Sequence, residues 1–110
     1  MNSNLFNNKR VVLVGPSPHL LDKNLGKFID SFDTVVRVNE IGVTPDLYKD
    51  YGSRTDVAFL TLSEEAVPIY REMINNVNYD QLKLIVHPRD EYNLNPINDE
   101  KTENVSTYYN

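Results

Sequence analysis

A chain of 110 residues, 40% hydrophobic and 25% charged, is long enough to form one globular domain with a single core. Its net charge of −5, with basic residues that are scattered along the chain, argues against a nucleic-acid groove, which needs clustered lysine and arginine. The absence of cysteine excludes disulfide bonds and thiolate metal sites. No apolar run resembles a signal peptide or approaches the roughly 18 residues of a membrane span, so we expect a cytoplasmic protein.

The first part of the chain predicts two strands with a helix between them. Residues 11–14, Val-Val-Leu-Val, form a continuous apolar run of the kind found in a parallel strand that is covered on both faces. Leucines at near-helical spacing follow, but asparagine and glycine interrupt them, so we expect a loop or short turn and then a helix near residues 26–31. The β-branched residues 34–38 predict the second strand.

The second part of the chain continues the alternation. Residues 40–54 are polar and predict a loop, and residues 56–62 predict a third strand. A helix is expected over residues 66–76, with Pro68 in its first turn, where a missing N–H does no harm. Residues 82–86 predict a fourth strand.

Strands that alternate with helices at this spacing predict an α/β fold with a Rossmann-like parallel sheet of about four strands. We expect residues 1–9 to form an N-terminal arm and residues 10–88 to form the α/β domain. Residues 89–110 are polar and form a C-terminal segment or tail. We expect this domain to be the N-terminal half of a larger one.

The best-known phosphate and metal motifs are missing. The first strand is followed neither by a P-loop nor by the Gly-x-Gly-x-x-Gly fingerprint of dinucleotide-binding proteins. The chain has no Asp-x-Asp pair, only two histidines and no cysteine, so we expect no metal site.

The ends of the first two strands carry the residues most suited to a ligand. Gly15, Pro16, Ser17 and Pro18 follow the first strand, and Asn39 follows the second. Ligands of open parallel sheets bind outside the carboxyl ends of the strands, so one ligand could reach both segments. Ser17 can also cap a following turn that has Pro18 at its first position. A capped turn without any ligand explains the spacing equally well.

Four blocks in this region, in order, resemble the long sialylmotif of the family 29 sialyltransferases over residues 10–57. The blocks are an apolar strand ending in Gly-x-Ser, then Gly-x-x-Ile-Asp-Ser-x-Asp, Val-x-Arg-x-Asn and Asp-x-Gly-Ser-Arg-Thr. The matching positions are Gly15 and Ser17; Gly26, Ile29, Asp30, Ser31 and Asp33; Val35, Arg37 and Asn39; and Asp50, Gly52, Ser53, Arg54 and Thr55.

The resemblance implies a variant of the GT-A fold that binds cytidine monophosphate (CMP)-sialic acid without a metal or other cofactor and transfers sialic acid to a glycan hydroxyl with inversion. Of the two family asparagines that contact the nucleotide, chiefly at its phosphate, one maps onto Asn39. The other maps onto Pro16, so Ser17 and nearby amides would take its place. The resemblance therefore predicts a phosphate site at Gly15, Pro16, Ser17 and Asn39.

The downstream family motifs, including the one that bears the catalytic histidine, are not recognisable before Asn110. No catalytic residue is therefore assigned: His19 and His87 are weak candidates, and structural roles are favoured for Arg37 and Arg54. The leading hypothesis is the donor-binding half of a sialyltransferase-like enzyme, active if a C-terminal catalytic segment completes it, with a nucleotide-sugar donor and a glycan acceptor as partners. The alternative is a non-catalytic nucleotide-binding module or a degenerate or truncated remnant of that family.

Overall fold

The computed structural model describes residues 3–61 and 81–87, the backbone of residues 102–104, and the two single positions Pro68 and Glu72. Five strands form one sheet in which every neighbouring pair is parallel. They lie in chain order: β1 (Val11–Val14), β2 (Thr34–Val38), β3 (Val57–Phe59), β4 (Leu84–His87) and β5 (Thr102–Asn104). The predicted α/β class with a Rossmann-like parallel sheet is confirmed.

β1 to β4 form where the sequence has runs of apolar residues, which suit a pleated strand. β1 was predicted to be covered on both faces, but it is an edge strand whose Val11 and Leu13 are 39% and 67% exposed, so it is covered on one face only. β1 and β2 have the predicted bounds. β3 ends at Phe59, earlier than predicted, and β4 begins at Leu84 and includes His87. β5 lies in the polar segment for which no strand was predicted, because its residues Thr-Glu-Asn carry no apolar pattern.

Two short helices lie in the described segment between β1 and β3. α1 (Gly26–Asp30) follows β1 at the predicted place. α2 (Tyr48–Tyr51) and a 3-10 turn (Pro45–Leu47) occupy the segment that was predicted as a loop. Pro45 suits the first position of a turn because it has no N–H to leave unpaired, and the amide of Leu47 closes the turn onto the carbonyl of Thr44.

The sheet has an apolar core on each face, because successive residues of a strand point to opposite sides. On one face the buried cluster is formed by Val14, Ile29, Val35, Val43 and Tyr51. On the other face it is formed by Leu5, Val36, Val57, Leu84 and Val86. Val35 and Val36 on β2 show the alternation directly, and β2 therefore supports both cores.

The helix predicted over residues 66–76 lies outside the described residues, except for Pro68 and Glu72, which both have helical backbone. Within the described parts of the chain, every helix is too short or too polar to cross a bilayer.

Candidate functional site

The register of the sheet brings the two predicted ligand segments to the same edge. Val14, the last residue of β1, lies opposite Arg37 on β2. The loop that begins at Gly15 and the residue Asn39 therefore leave neighbouring strands at the same end. Neighbouring strands are about 4.8 Å apart, so the two segments lie side by side.

The loop after β1 is a capped turn. The hydroxyl oxygen of Ser17 accepts a hydrogen bond from the amide of His19 at 3.2 Å, and Pro18 is the first residue of the 3-10 turn Pro18–Leu20. This confirms the predicted cap. Because the Ser17 oxygen is used as an acceptor, its own O–H hydrogen is still available to donate.

Gly15 stands in open space. A Cβ built at this position meets no other atom within 4 Å, and its φ is not in the left-handed region. Neither the backbone conformation nor the packing of the described residues therefore requires glycine here. The backbone at Gly15 is therefore open to close approach by another group.

Asn39 is exposed and has a left-handed backbone, with φ of 58°. Its amide N–H donates to the carbonyl of Phe59 at 2.7 Å, and its side-chain oxygen accepts from the amide of Thr61 at 3.2 Å. The side-chain NH2 has no partner in the described part of the chain. Asn39 is thus held by its oxygen and keeps two donor hydrogens for another group.

A cavity of about 380 Å³ lies beside the loop. Its walls are mostly apolar and include Pro16, Pro18 and Tyr51, and Glu40 is the charged residue among those that line it. The volume falls within the roughly 300–1,000 Å³ that is typical of small-molecule sites. Of the four predicted site residues, Pro16 lines the cavity, whereas Gly15, Ser17 and Asn39 are not among its lining residues.

Glu40, which lines this cavity, is half-buried, and Arg37 is wholly buried. Burial raises the pKa of the Glu40 carboxyl, and the charge of Arg37 opposes that rise. Burial also lowers the pKa of the Arg37 guanidinium, against the opposite influence of Glu40 and Asp30. Burial and the charge of the other group therefore act in opposite directions on the pKa of both Glu40 and Arg37.

Arg37 faces a polar cluster. Its Nε donates to the hydroxyl of Thr55 at 2.8 Å, and its Nη2 donates to the carbonyl oxygens of Tyr51 and Arg54 at 2.8 and 2.7 Å. Its Nη1 has no hydrogen-bond partner among the described residues. These contacts agree with the structural role that was favoured for Arg37.

The side chain of Arg54 also bonds to several other segments of the chain. Its Nη2 forms an ion pair with Asp56 at 2.8 Å, and the guanidinium also donates to the carbonyl oxygens of Asp30, the last residue of α1, and of Asp33. The carboxylate of Asp56 in turn accepts from the amide of Val35 at 2.8 Å. Arg54 therefore joins the start of β2 to the start of β3, as its predicted structural role requires.

Two contacts near the site were not predicted from the sequence. The phenol of Tyr51 donates to the carbonyl oxygen of Ser17 at 2.8 Å. The carboxylate of Asp50 accepts from the amides of Asp22 and Asn24 at 2.9 and 3.0 Å, and these bonds lower the pKa of Asp50, that from Asp22 contributing most. Asp50 belongs to the block Asp-x-Gly-Ser-Arg-Thr, but nothing in the sequence indicates which amides it binds.

The two histidines lie in different surroundings. His19 is exposed in the turn after Ser17, and His87 is the buried last residue of β4. Within residues 3–61 and 81–87, no three histidine, aspartate or glutamate side chains gather as metal ligands would. A catalytic role for either histidine stays untested.

Comparison with known families and proteins gives one match. The family model described as glycosyltransferase family 29 (sialyltransferase) matches residues 4–107, which is nearly the whole chain. Neither the curated proteins nor the solved structures gave a match. The family match covers the strand-end loop, Asn39, the cavity and both arginine clusters. The chain therefore belongs to glycosyltransferase family 29, the sialyltransferases.

Proposed function

We propose that this chain is the donor-binding part of a sialyltransferase-like glycosyltransferase that binds CMP-sialic acid at the carboxyl edge of β1 and β2. The phosphate of the nucleotide would lie against Gly15, Pro16 and Ser17 on one side and Asn39 on the other. Family membership supports the class of reaction. The arrangement at the sheet edge supports the position of the phosphate.

The observation that carries the proposal is a pair of available donors on neighbouring strand ends. The Ser17 hydroxyl oxygen is held by the amide of His19, and the Asn39 side-chain oxygen is held by the amide of Thr61. Both side chains are thereby oriented while their hydrogens are free to bind an anion. Open space at Gly15 allows a phosphate to approach the backbone.

These donors would act on the leaving group of the transfer. The acceptor hydroxyl, deprotonated by a general base, attacks the anomeric carbon of the donor with inversion, and the bond to the phosphate oxygen breaks. Negative charge grows on the departing phosphate in the transition state. Donors already fixed in position at Ser17 and Asn39 stabilise that charge without having to reorganise.

The proposal is tested by titrating the chain with CMP, uridine monophosphate (UMP) and adenosine monophosphate (AMP) while following its amide resonances. We expect CMP to shift the amides of Gly15, Ser17 and Asn39, and to bind more tightly than UMP or AMP. Asn39→Asp is the sharpest variant, because it keeps the oxygen that Thr61 binds but replaces the NH2 donors with a negative charge facing the phosphate. The loss of a bond to a charged group predicts CMP binding that is weaker by about tenfold or more.

Asn7→Asp is the matched control, since it adds the same charge at a residue that is exposed and precedes the opposite, amino end of β1. It should bind CMP as the unchanged chain does. Equal CMP affinity of Asn39→Asp and the unchanged chain would remove Asn39 from the site. The absence of any response to the three nucleotides would reject the proposed function as a whole.

A further inference from the structure

We infer that Tyr51 is a positioning residue for the nucleotide site, because its phenol fixes the loop that carries Ser17. The inference rests on the proposed function. Tyr51 Oη donates to the Ser17 carbonyl oxygen at 2.8 Å, across 34 positions of sequence. In the motif block Asp-x-Gly-Ser-Arg-Thr, Tyr51 occupies the variable position, so the resemblance gives it no role.

The loop at residues 15–19 forms few hydrogen bonds of its own, so a bond from another segment is needed to hold it in place. Pro16 and Pro18 lack an N–H, which removes two of the donors with which a loop normally binds its neighbours. The Ser17 hydroxyl bonds only within the turn, to His19. Outside the strand ladder, and within the described residues, the bond from Tyr51 is the one that joins residues 15–19 to a distant segment.

Tyr51 can serve as an anchor because it is itself held firmly. Its side chain is buried, with 8% of its surface exposed, and packs in the cluster that contains Val14 and Val35. Its carbonyl oxygen accepts from Nη2 of Arg37, a residue with no exposed surface. A rigid aromatic ring thus presents its hydroxyl to the loop from a fixed position.

The expected effect of this bond is preorganisation. A ligand that binds a mobile loop must order the loop as it binds, and that entropy cost lowers the affinity. Tyr51 removes this cost without contacting the phosphate, because its hydroxyl hydrogen is directed at the Ser17 carbonyl. Loss of the phenol should therefore increase the motion of the loop and weaken CMP binding, while the fold persists.

Tyr51→Phe tests the inference, and Tyr48→Phe is its matched control. Both variants lose one hydroxyl from α2, but the side chain of Tyr48 is exposed and its phenol has no hydrogen bond in the described part of the chain. We expect CMP to bind Tyr51→Phe about 3- to 10-fold more weakly, the usual effect of one hydrogen bond, and to bind Tyr48→Phe as it binds the unchanged chain.

A second readout needs no nucleotide. Backbone ¹⁵N relaxation of the free protein should show larger fast motions at Gly15 and Ser17 in Tyr51→Phe, with the amides of β2 and β3 unchanged. A merely structural role for Tyr51 would instead lower the stability of the whole domain and leave both the loop motions and the CMP affinity as they were.

The outcomes separate this inference from the proposed function. If the unchanged chain binds CMP and Tyr51→Phe binds it equally well, the inference is overturned and the proposed function stands. If the loop motions of Tyr51→Phe match those of the unchanged chain, the inference is also overturned. If the unchanged chain binds no nucleotide, the proposed function fails and the role of Tyr51 in that site fails with it.

Discussion

Nη2 of Arg37 lies 2.8 Å from the carbonyl oxygen of Tyr51, so strand β2 is bonded directly to the last residue of α2. The same guanidinium binds the carbonyl of Arg54 and the hydroxyl of Thr55. One buried side chain therefore satisfies three acceptors in the segment that leads from α2 into β3. That segment has little regular structure of its own, and Arg37 takes the place of a backbone ladder there.

Replacement of Arg37 by methionine should strongly destabilise the fold. Methionine fills much of the same volume but leaves three buried or partly buried acceptors without their donor, and each unsatisfied acceptor costs about 1–3 kcal/mol. We expect Arg37→Met to lower the free energy of unfolding by at least about 3 kcal/mol, measured by urea denaturation followed by circular dichroism.

Arg10→Met is the control for that measurement. Arg10 is exposed, and its guanidinium lies 4.8 Å from the centre of the Phe32 ring without a side-chain hydrogen bond in the described residues. Loss of such an exposed cation–π contact costs about 0.5–1 kcal/mol. If the two variants lost similar amounts of stability, Arg37 would not be the anchor described here.

The carboxylate of Asp50 makes the stability of the loop after β1 depend on pH. Its hydrogen bonds from the amides of Asp22 and Asn24 lower its pKa in the folded protein. A carboxyl with a lowered pKa stabilises the folded state above its ordinary pKa of about 3.9, and the contribution is lost as the pH falls through the folded value. Asp50→Asn should therefore be less stable than the unchanged chain at pH 7, and the difference should shrink below about pH 4.

Urea denaturation at pH 7, 5, 4 and 3 measures this convergence. Asp22→Asn is the control, because it removes a neighbouring exposed carboxylate but keeps the backbone amide that Asp50 binds. It should stay close to the unchanged chain at each pH. If the free energies of unfolding of Asp50→Asn and the unchanged chain differed by the same amount at every pH, ionised Asp50 would not be what holds the loop.

The strands could be predicted because their signal is local. Runs such as Val-Val-Leu-Val favour a strand whatever the rest of the chain does, and β1 and β2 have the predicted bounds. The burial of a strand is not local in this sense, because β1 lies at the edge of the sheet and exposes Val11 and Leu13. α2 could not be predicted in the same way. It forms in a polar segment whose backbone is held by distant side chains, including Arg37 and the carboxylate of Asp30, which accepts from the amide of Ser53.

The candidate site, too, could be predicted only in part. The positions of Gly15, Ser17 and Asn39 follow from where two parallel strands end, so the sequence predicts that they share one edge. The bond between Tyr51 and Ser17 joins residues 34 positions apart, and its existence depends on how α2 packs against β1 and β2. No local pattern carries that information, and an aromatic residue in such a segment suggests only that it covers the core.

Two glycines in the blocks that resemble the long sialylmotif should differ in how their replacement by alanine changes the stability of the fold. Gly26, at the start of α1, lies so close to α2 that a Cβ would come within 1.9 Å of the carbonyl oxygen of Tyr48. Gly26 and the carbonyl of Tyr48 both belong to helix backbones, so neither can move without shifting a helix. Gly26→Ala should lower the free energy of unfolding by about 1–3 kcal/mol, the usual cost of overpacking.

Gly15→Ala should behave in the reverse way, because a Cβ there meets nothing within 4 Å and the backbone is not left-handed. Alanine restricts the unfolded chain, so we expect the free energy of unfolding to stay the same or to rise by about 0.4–1 kcal/mol. The added methyl group would, however, occupy the space through which a phosphate approaches the loop. CMP titration should therefore show weaker binding by a domain that is as stable as before. Undiminished CMP affinity in Gly15→Ala would mean that the phosphate does not lie against this part of the backbone.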